Sequence, residues 1–217
     1  MKFAFVMFED FEELDLVGPW EVLRMASRLL PAERGAWSCE LLGPTREPVR
    51  AAKGMRVCPD ASFAEAGECD VLVVPGGRGT RRGAEDPALL TFLAAQSASA
   101  SWSFSVCTGA LLFFASGVSR GREVTTYFAF VDELQRRAGS ELKVRGDVRY
   151  VADELERGPH GERRLLSAAG VSAGIDAALW LVGQLESPDF ARAVQRAIQY
   201  DPAPPYDPAP PYGRADA

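Results

Sequence analysis

Short apolar runs of strand length alternate along the chain with longer stretches of helical spacing. Residues 2–8 (KFAFVMF) are apolar at both alternating positions, the pattern of a strand covered on two faces. Residues 14–30 place Leu16, Trp20 and Leu23 at helical spacing, with Val22, Met25 and Leu29 alongside. Pro19 suits the first turn of that helix, where its missing N–H costs nothing. Residues 37–43 (WSCELLG) read as a second strand, and residues 70–77 (DVLVVPGG) as a third that ends in a glycine turn. A helix over 86–98 opens with Asp86 as cap and Pro87 at its first position.

Residues 101–106 (SWSFSV) form the next strand, and a short helix follows, closed by Gly117. A strand near 122–128 and a helix near 128–138 come next. Residues 148–154 pair with 163–170 as a hairpin that turns near 157–162 (RGPHGE). Ser172 caps a further helix, and a last one runs from Pro188 to about Tyr200. Strands alternating with helices predict an α/β fold, with a mostly parallel central sheet and helices on both faces. Ligands of such sheets gather at the carboxyl ends of the strands. Residues 1–200 read as one domain. Residues 201–217 repeat YDPAPPY as DPAPPY, a proline-rich tail that favours polyproline II and lies on the surface.

Composition narrows the function classes. The 217 residues are 47% hydrophobic and 25% charged, with a net charge of −6 and no basic cluster, so nucleic acid is not an expected partner. No run approaches the ~18 apolar residues of a membrane span. The amino end lacks the pattern of a secretion signal, which places the expected site of action in the cytoplasm, with free thiols. The four cysteines, Cys39, Cys58, Cys69 and Cys107, show no CxxC spacing, so neither zinc nor thioredoxin-type chemistry is expected. No metal or organic cofactor is implied. Cys39, Cys58 and Cys69 read as buried structural thiols.

Cys107 is different because it stands between a strand and a helix. A tight strand-to-helix turn lifts its central side chain above the sheet and aims the first helical N–H groups at whatever that side chain attacks. The helix N-terminus also favours thiolate over thiol. The alternative is a small buried hydrophobe. His160, the single histidine, falls at the hairpin tip and is out of reach as a base. Proton transfer then falls to an acid, and Glu9, Asp10, Glu12, Glu13 and Asp15 follow the first strand. Asp15 has the most apolar neighbours, which raise a carboxyl pKa. Its competing reading is a helix cap. Trp20, Trp102, Trp180, Phe113 and Phe114 read as core rather than pocket lining.

Six segments, DFEELDLVGPWEVL, DVLVVPGG, FSVCTGALLFFASG, REVTTYFAF, SAAGVSAGIDAALWLV and IQYDPAPPY, together resemble the ThiJ/PfpI superfamily, and within it the isonitrile hydratase branch. The resemblance implies a flavodoxin-like sandwich, a homodimer and a small-molecule substrate. It places Cys107 at the nucleophile position and Asp15 at the essential acid. Thr108 would turn its hydroxyl and N–H to the site, and Gly76 and Gly77 would lend N–H groups to an anion. Where relatives read Thr-Thr-His-Trp, this chain has Thr125-Thr126-Tyr127-Phe128, so Tyr127 replaces a histidine. Isonitrile hydration, a glyoxalase-like or deglycase-like thiol chemistry on small carbonyls, and a non-catalytic ligand or redox sensor are the three functions open at this point.

Overall fold

The computed structural model describes residues 1–158 and 161–203; His160 and the repeated part of the tail lie outside the described residues. The apolar start supplies β1 (Lys2–Val6), where Phe3, Ala4, Phe5 and Val6 have no exposed surface. α1 (Glu13–Leu29) returns the chain to β2 (Ser38–Gly43), parallel to β1 with Phe5 opposite Leu41. Three two-residue strands follow: β3 (Val49–Arg50) and β4 (Arg56–Val57), which pair as a small hairpin, and β5 (Ala61–Ser62). β6 (Val71–Val74) crosses to the other side of β1. α2 (Thr80–Gly83) and α3 (Pro87–Ser99) lead to β7 (Trp102–Val106), and α4 (Gly109–Ala115) begins almost directly after it.

β8 (Arg122–Thr125), α5 (Val131–Ala138) and β9 (Leu142–Arg145) come next, then β10 (Tyr150–Gly158), β11 (Gly161–Ala168), α6 (Ala173–Leu185) and α7 (Pro188–Ala197). The main sheet has seven strands in the order β10-β11-β7-β6-β1-β2-β5. Every pairing is parallel except β10 with β11. This is the expected α/β sandwich.

Alternation along the strands sorts the two faces. Phe5 meets Trp20 of α1 at 5.2 Å between ring centroids, and Trp102 meets Trp180 of α6 at 5.6 Å. Val106 lies against Gly174 of α6, where an added Cβ would come within 3.1 Å of it. Ser103 points the opposite way and shares a cavity with Ala94 and Ser97 of α3. The strand order reverses at β1, so the crevice at the carboxyl ends of β1, β6 and β7 is the expected place for a ligand. Trp102 and Phe113 are buried, and Trp20, Trp180 and Phe114 pack partly buried against the core.

Several local expectations change. α1 begins at Glu13, so Pro19 lies inside the helix and not in its first turn. With no N–H, Pro19 leaves the carbonyl of Asp15 without its helical donor. The cap position belongs to Glu12, which rules out Asp15 as the cap. Asp86 does cap α3, accepting the N–H groups of Ala88 and Leu89. Ser172 occupies the cap position of α6 but its side chain caps nothing. β8 does not join the main sheet; it pairs in parallel with β9. Cys69 is buried and Cys39 partly so, but Cys58 is exposed. It follows a two-residue strand, too short to cover it. Among the described residues no helix is long and apolar enough to cross a membrane.

Candidate active site

The register of the sheet places two turns side by side. Val74 of β6 stands opposite Ser105 of β7, so Pro75-Gly76-Gly77 and Cys107-Thr108-Gly109 leave the sheet at one level. Contact between them is close enough to require glycine. A Cβ on Gly109 would lie 2.4 Å from the Val74 carbonyl oxygen. A Cβ on Gly76 would lie 2.5 Å from Thr108 N, 2.8 Å from Thr108 Oγ1 and 2.9 Å from Asp15 Oδ2. Gly76 is therefore the gap through which the three parts of the site meet.

Cys107 occupies the left-handed region, with φ of +57°. For a non-glycine residue this costs on the order of 1–2 kcal/mol and persists only where surroundings impose it. Here its N–H donates to Ala168 O at 3.0 Å, and its carbonyl accepts the Thr126 hydroxyl at 2.8 Å. The strand-to-helix elbow read from the sequence is thus present, and its central side chain is the thiol.

Asp15, the third residue of α1, has no exposed surface. Its Oδ2 accepts the Gly76 N–H at 2.9 Å, while Oδ1 has no hydrogen-bond partner. The Cys107 thiol faces this carboxyl without a hydrogen bond of ordinary geometry. Burial pushes Asp15 from 3.8 up to about 7, against the pull of the Gly76 N–H; the charge of Glu12 adds to the rise. The other acids of the segment have partners of their own: Asp10 pairs with Arg82 at 2.8 Å, Glu12 pairs with Lys53, and Glu13, like Glu12 largely buried, accepts the Lys53 N–H at 2.6 Å. Glu9 accepts the Arg50 N–H at 3.3 Å.

The surroundings of the thiol oppose its ionisation. Burial, and then the Asp15 carboxylate, push Cys107 up to about 12, while the N–H groups of Thr108 and Val171 pull it down. A helix of seven residues and two amides do not offset lost water and an adjacent negative charge. Burial and the Asp15 carboxylate thus oppose the expectation that the helix N-terminus favours thiolate at Cys107, which is 6% exposed.

The glycine turn also differs from expectation. The Gly76 N–H serves Asp15, and the Gly77 N–H donates to Thr108 Oγ1 at 3.0 Å. Neither remains for a substrate anion. The Thr108 hydroxyl faces the turn, within 3.1 Å of Gly77 O and 3.2 Å of Thr80 Oγ1; it is the Thr108 N–H that faces the sulfur. Thr80 in turn donates to Gly77 O at 2.8 Å. Sequence reading missed Thr80, Thr126 and Val171. Val171 acts through its backbone N–H, at a φ of +42°, and its side chain carries no signal for that. Tyr127 packs so tightly on Gly170 that a Cβ there would lie 2.8 Å from its Cδ2. Among the described residues, no group of three or more His, Cys, Asp and Glu side chains is placed to hold a metal ion.

Residues 1–182 match the DJ-1/PfpI family model. The chain belongs to the DJ-1/PfpI family. Isonitrile hydratase from Pseudomonas putida is 33% identical over 205 residues, covering 94% of this chain and 81% of that protein. A glutathione-independent glyoxalase from Caenorhabditis elegans is 26% identical over 183 residues, covering 83% of this chain and 86% of the relative. The solved structure of a ThiJ/PfpI family protein from Pseudomonas syringae is 28% identical and superimposes with a TM-score of 0.80, over 95% of this chain and 77% of that one. Family membership and fold follow from these similarities; a particular reaction does not, since relatives of differing activity share them.

Proposed function

We propose that this DJ-1/PfpI protein is a lyase of the isonitrile hydratase type, converting R–NC and water to an N-substituted formamide. The observation that carries the reading is the pairing of Cys107 with a buried carboxyl group whose pKa is near 7 and whose second oxygen is unbonded. A general base works best when its pKa lies near the operating pH. The Asp15 carboxylate takes the thiol proton as sulfur bonds to the isonitrile carbon, and it returns that proton to the same carbon. The product is a thioimidate, R–N=CH–S–Cys107. Negative charge on sulfur is met by the N–H groups of Thr108 and Val171, fixed in advance by the elbow.

Water then adds to the thioimidate carbon. One water proton passes through Asp15 to nitrogen. The second returns by the same carboxyl to sulfur as the C–S bond breaks, leaving R–NH–CHO and the thiol. Covalent catalysis thus divides one difficult addition into two easier steps.

The 33% identical relative from Pseudomonas putida supports this reading. The Caenorhabditis elegans glyoxalase supports a rival carbonyl chemistry on the same thiol. Intact-mass spectrometry during incubation with cyclohexyl isocyanide, with product analysis alongside, separates them. The proposal expects a transient adduct equal to the mass of the isonitrile, then N-cyclohexylformamide. Turnover of methylglyoxal without formamide production overturns it in favour of the glyoxalase reading; a stable adduct without product overturns it in favour of a sensor. The working form in this proposal is a cytoplasmic homodimer. Leu14 and Val17, 38% and 42% exposed and one turn apart on α1, support the dimer, and light scattering tests it.

A further inference from the structure

At the amino ends of β7 and its neighbours, opposite the elbow, lies a cavity of about 180 Å³ between α3, β7, the loop after α4 and β11. Its polar lining is Arg122, Arg163 and Arg164 with Ser97, Ser103 and Ser116. Among the described residues no carboxylate lines it. Ser103 is the second residue of β7, about 13 Å along the chain from Cys107 at ~3.3 Å per residue. None of the groups assigned to the thiol chemistry reaches this cavity.

Two of the guanidinium groups are held in place. Arg122, 7% exposed, donates from Nε to Asp153 Oδ2 at 3.2 Å and from Nη2 to Asp153 O at 2.6 Å. A guanidinium carries five N–H donors, so this pairing leaves Arg122 others to give. The Arg164 guanidinium lies over the ring of buried Trp102, 5.4 Å from its centroid. Stacking fixes the plane of that group and with it the directions of its donors. Ser97, 4% exposed, has a hydroxyl oxygen without a hydrogen-bond partner. Buried hydroxyls ordinarily have one, and an occupant of the cavity would supply it.

Guanidinium forks and hydroxyls around a compact space match an oxyanion that carries acceptors on every side. At ~30 Å³ per molecule the volume equals that of about six waters, which leaves room for a phosphate group. We infer that this cavity is a binding site for a phosphate group, held by Arg122, Arg163 and Arg164 with the serine hydroxyls completing its shell. The inference does not depend on the isonitrile reading.

The test is calorimetry of inorganic phosphate on the full chain, with ionic strength held constant by sodium chloride. One phosphate per chain is expected. Arg163→Gln and Arg164→Gln should each weaken binding by ~10-fold or more, the worth of one charge-assisted hydrogen bond. Arg46→Gln removes an exposed arginine outside the cavity, paired with Glu65, and should leave binding within ~2-fold. No binding, or binding that the three variants change equally, overturns the inference.

Hydrogen exchange of the wild type keeps the test independent of how the variants fold. Phosphate should slow exchange at residues 94–99 and 116–118, which border the cavity, and protection confined to other segments overturns the site. Phenyl phosphate separates the sources of the ligand. Binding as tight as that of phosphate supports a site for the phosphate group of a larger molecule, and binding of inorganic phosphate alone supports a site for the free ion. Acetate binding more tightly than phosphate overturns the ligand class.

Discussion

Cys69 and Cys107 carry equally buried thiols, 5% and 6% exposed, and both are pushed up to about 12 with burial as the leading cause. The direction of the shift and its leading cause do not tell the two apart. Their partners differ. Cys69 Sγ lies 3.4 Å from Gln96 Oε1, an amide that cannot accept a proton near neutral pH. Cys107 faces a carboxyl group at about 7 and sits on a strained backbone with two N–H groups directed at its sulfur. Low thiol pKa is one way to mark a nucleophile. In the function proposed for this molecule the mark is a base within reach and amides that stabilise the anion only as it forms.

The largest expected effect comes from removing each sulfur in turn. Cys107→Ala should lower kcat for hydration by ~10⁴-fold or more. Cys69→Ala should leave kcat/KM within ~3-fold while costing about 1–3 kcal/mol in a denaturant titration. Comparable activity losses in the two variants would erase the distinction.

Changing the partners is the next sharpest test. Asp15→Asn should reduce kcat by ~10²–10⁴-fold, the range of general acid–base catalysis. Gln96→Leu should not alter it. In the wild type, kcat/KM should rise with pH through about 7 as Asp15 loses its proton, then stay level through the range where the thiol remains protonated. Stopped-flow rates between pH 5 and pH 10 check this; a limb that survives in Asp15→Asn assigns it to another group.

Stability shows the smallest effect. The folded state holds the Asp15 proton up to about 7, whereas an ordinary carboxyl releases it at 3.8. Between these values the folded chain binds more protons than the unfolded one, so stability falls as pH rises. The whole interval amounts to about 4 kcal/mol at ~1.36 kcal/mol per pH unit. Asp15→Asn keeps an acceptor for the Gly76 N–H and should recover about 1–3 kcal/mol of this at pH 8, and little at pH 4. Melting curves of the two proteins that run parallel from pH 4 to pH 8 would contradict the assigned shift.

Some elements were legible because their cause is local. β1 and β6 are apolar at every position or nearly so, and β7 intersperses only the small Ser103 and Ser105; strands of that kind are covered on both faces. The Asp86–Pro87 start of α3 is capped by its own neighbours. Other elements were misread because their cause is distant. Pro19 ordinarily signals a helix start, yet α1 carries it internally, packed against Gly174 of α6. β8 looks like any core strand, but its partner is β9, a segment without a strong pattern. Gly76 and Gly77 were recognisable as a turn, while the destinations of their N–H groups depended on Asp15 and Thr108, 61 and 31 residues away.

The order of residue types along the chain therefore determined the parallel sheet, the elbow at Cys107 and the candidacy of Asp15, since hydrophobic period and turn chemistry act between near neighbours. Folding decided which thiol faces a buried carboxyl group, that burial opposes its ionisation, and that the glycine amides are occupied. Those properties arise from desolvation and from hydrogen bonds between distant segments, which exist only once the chain has packed.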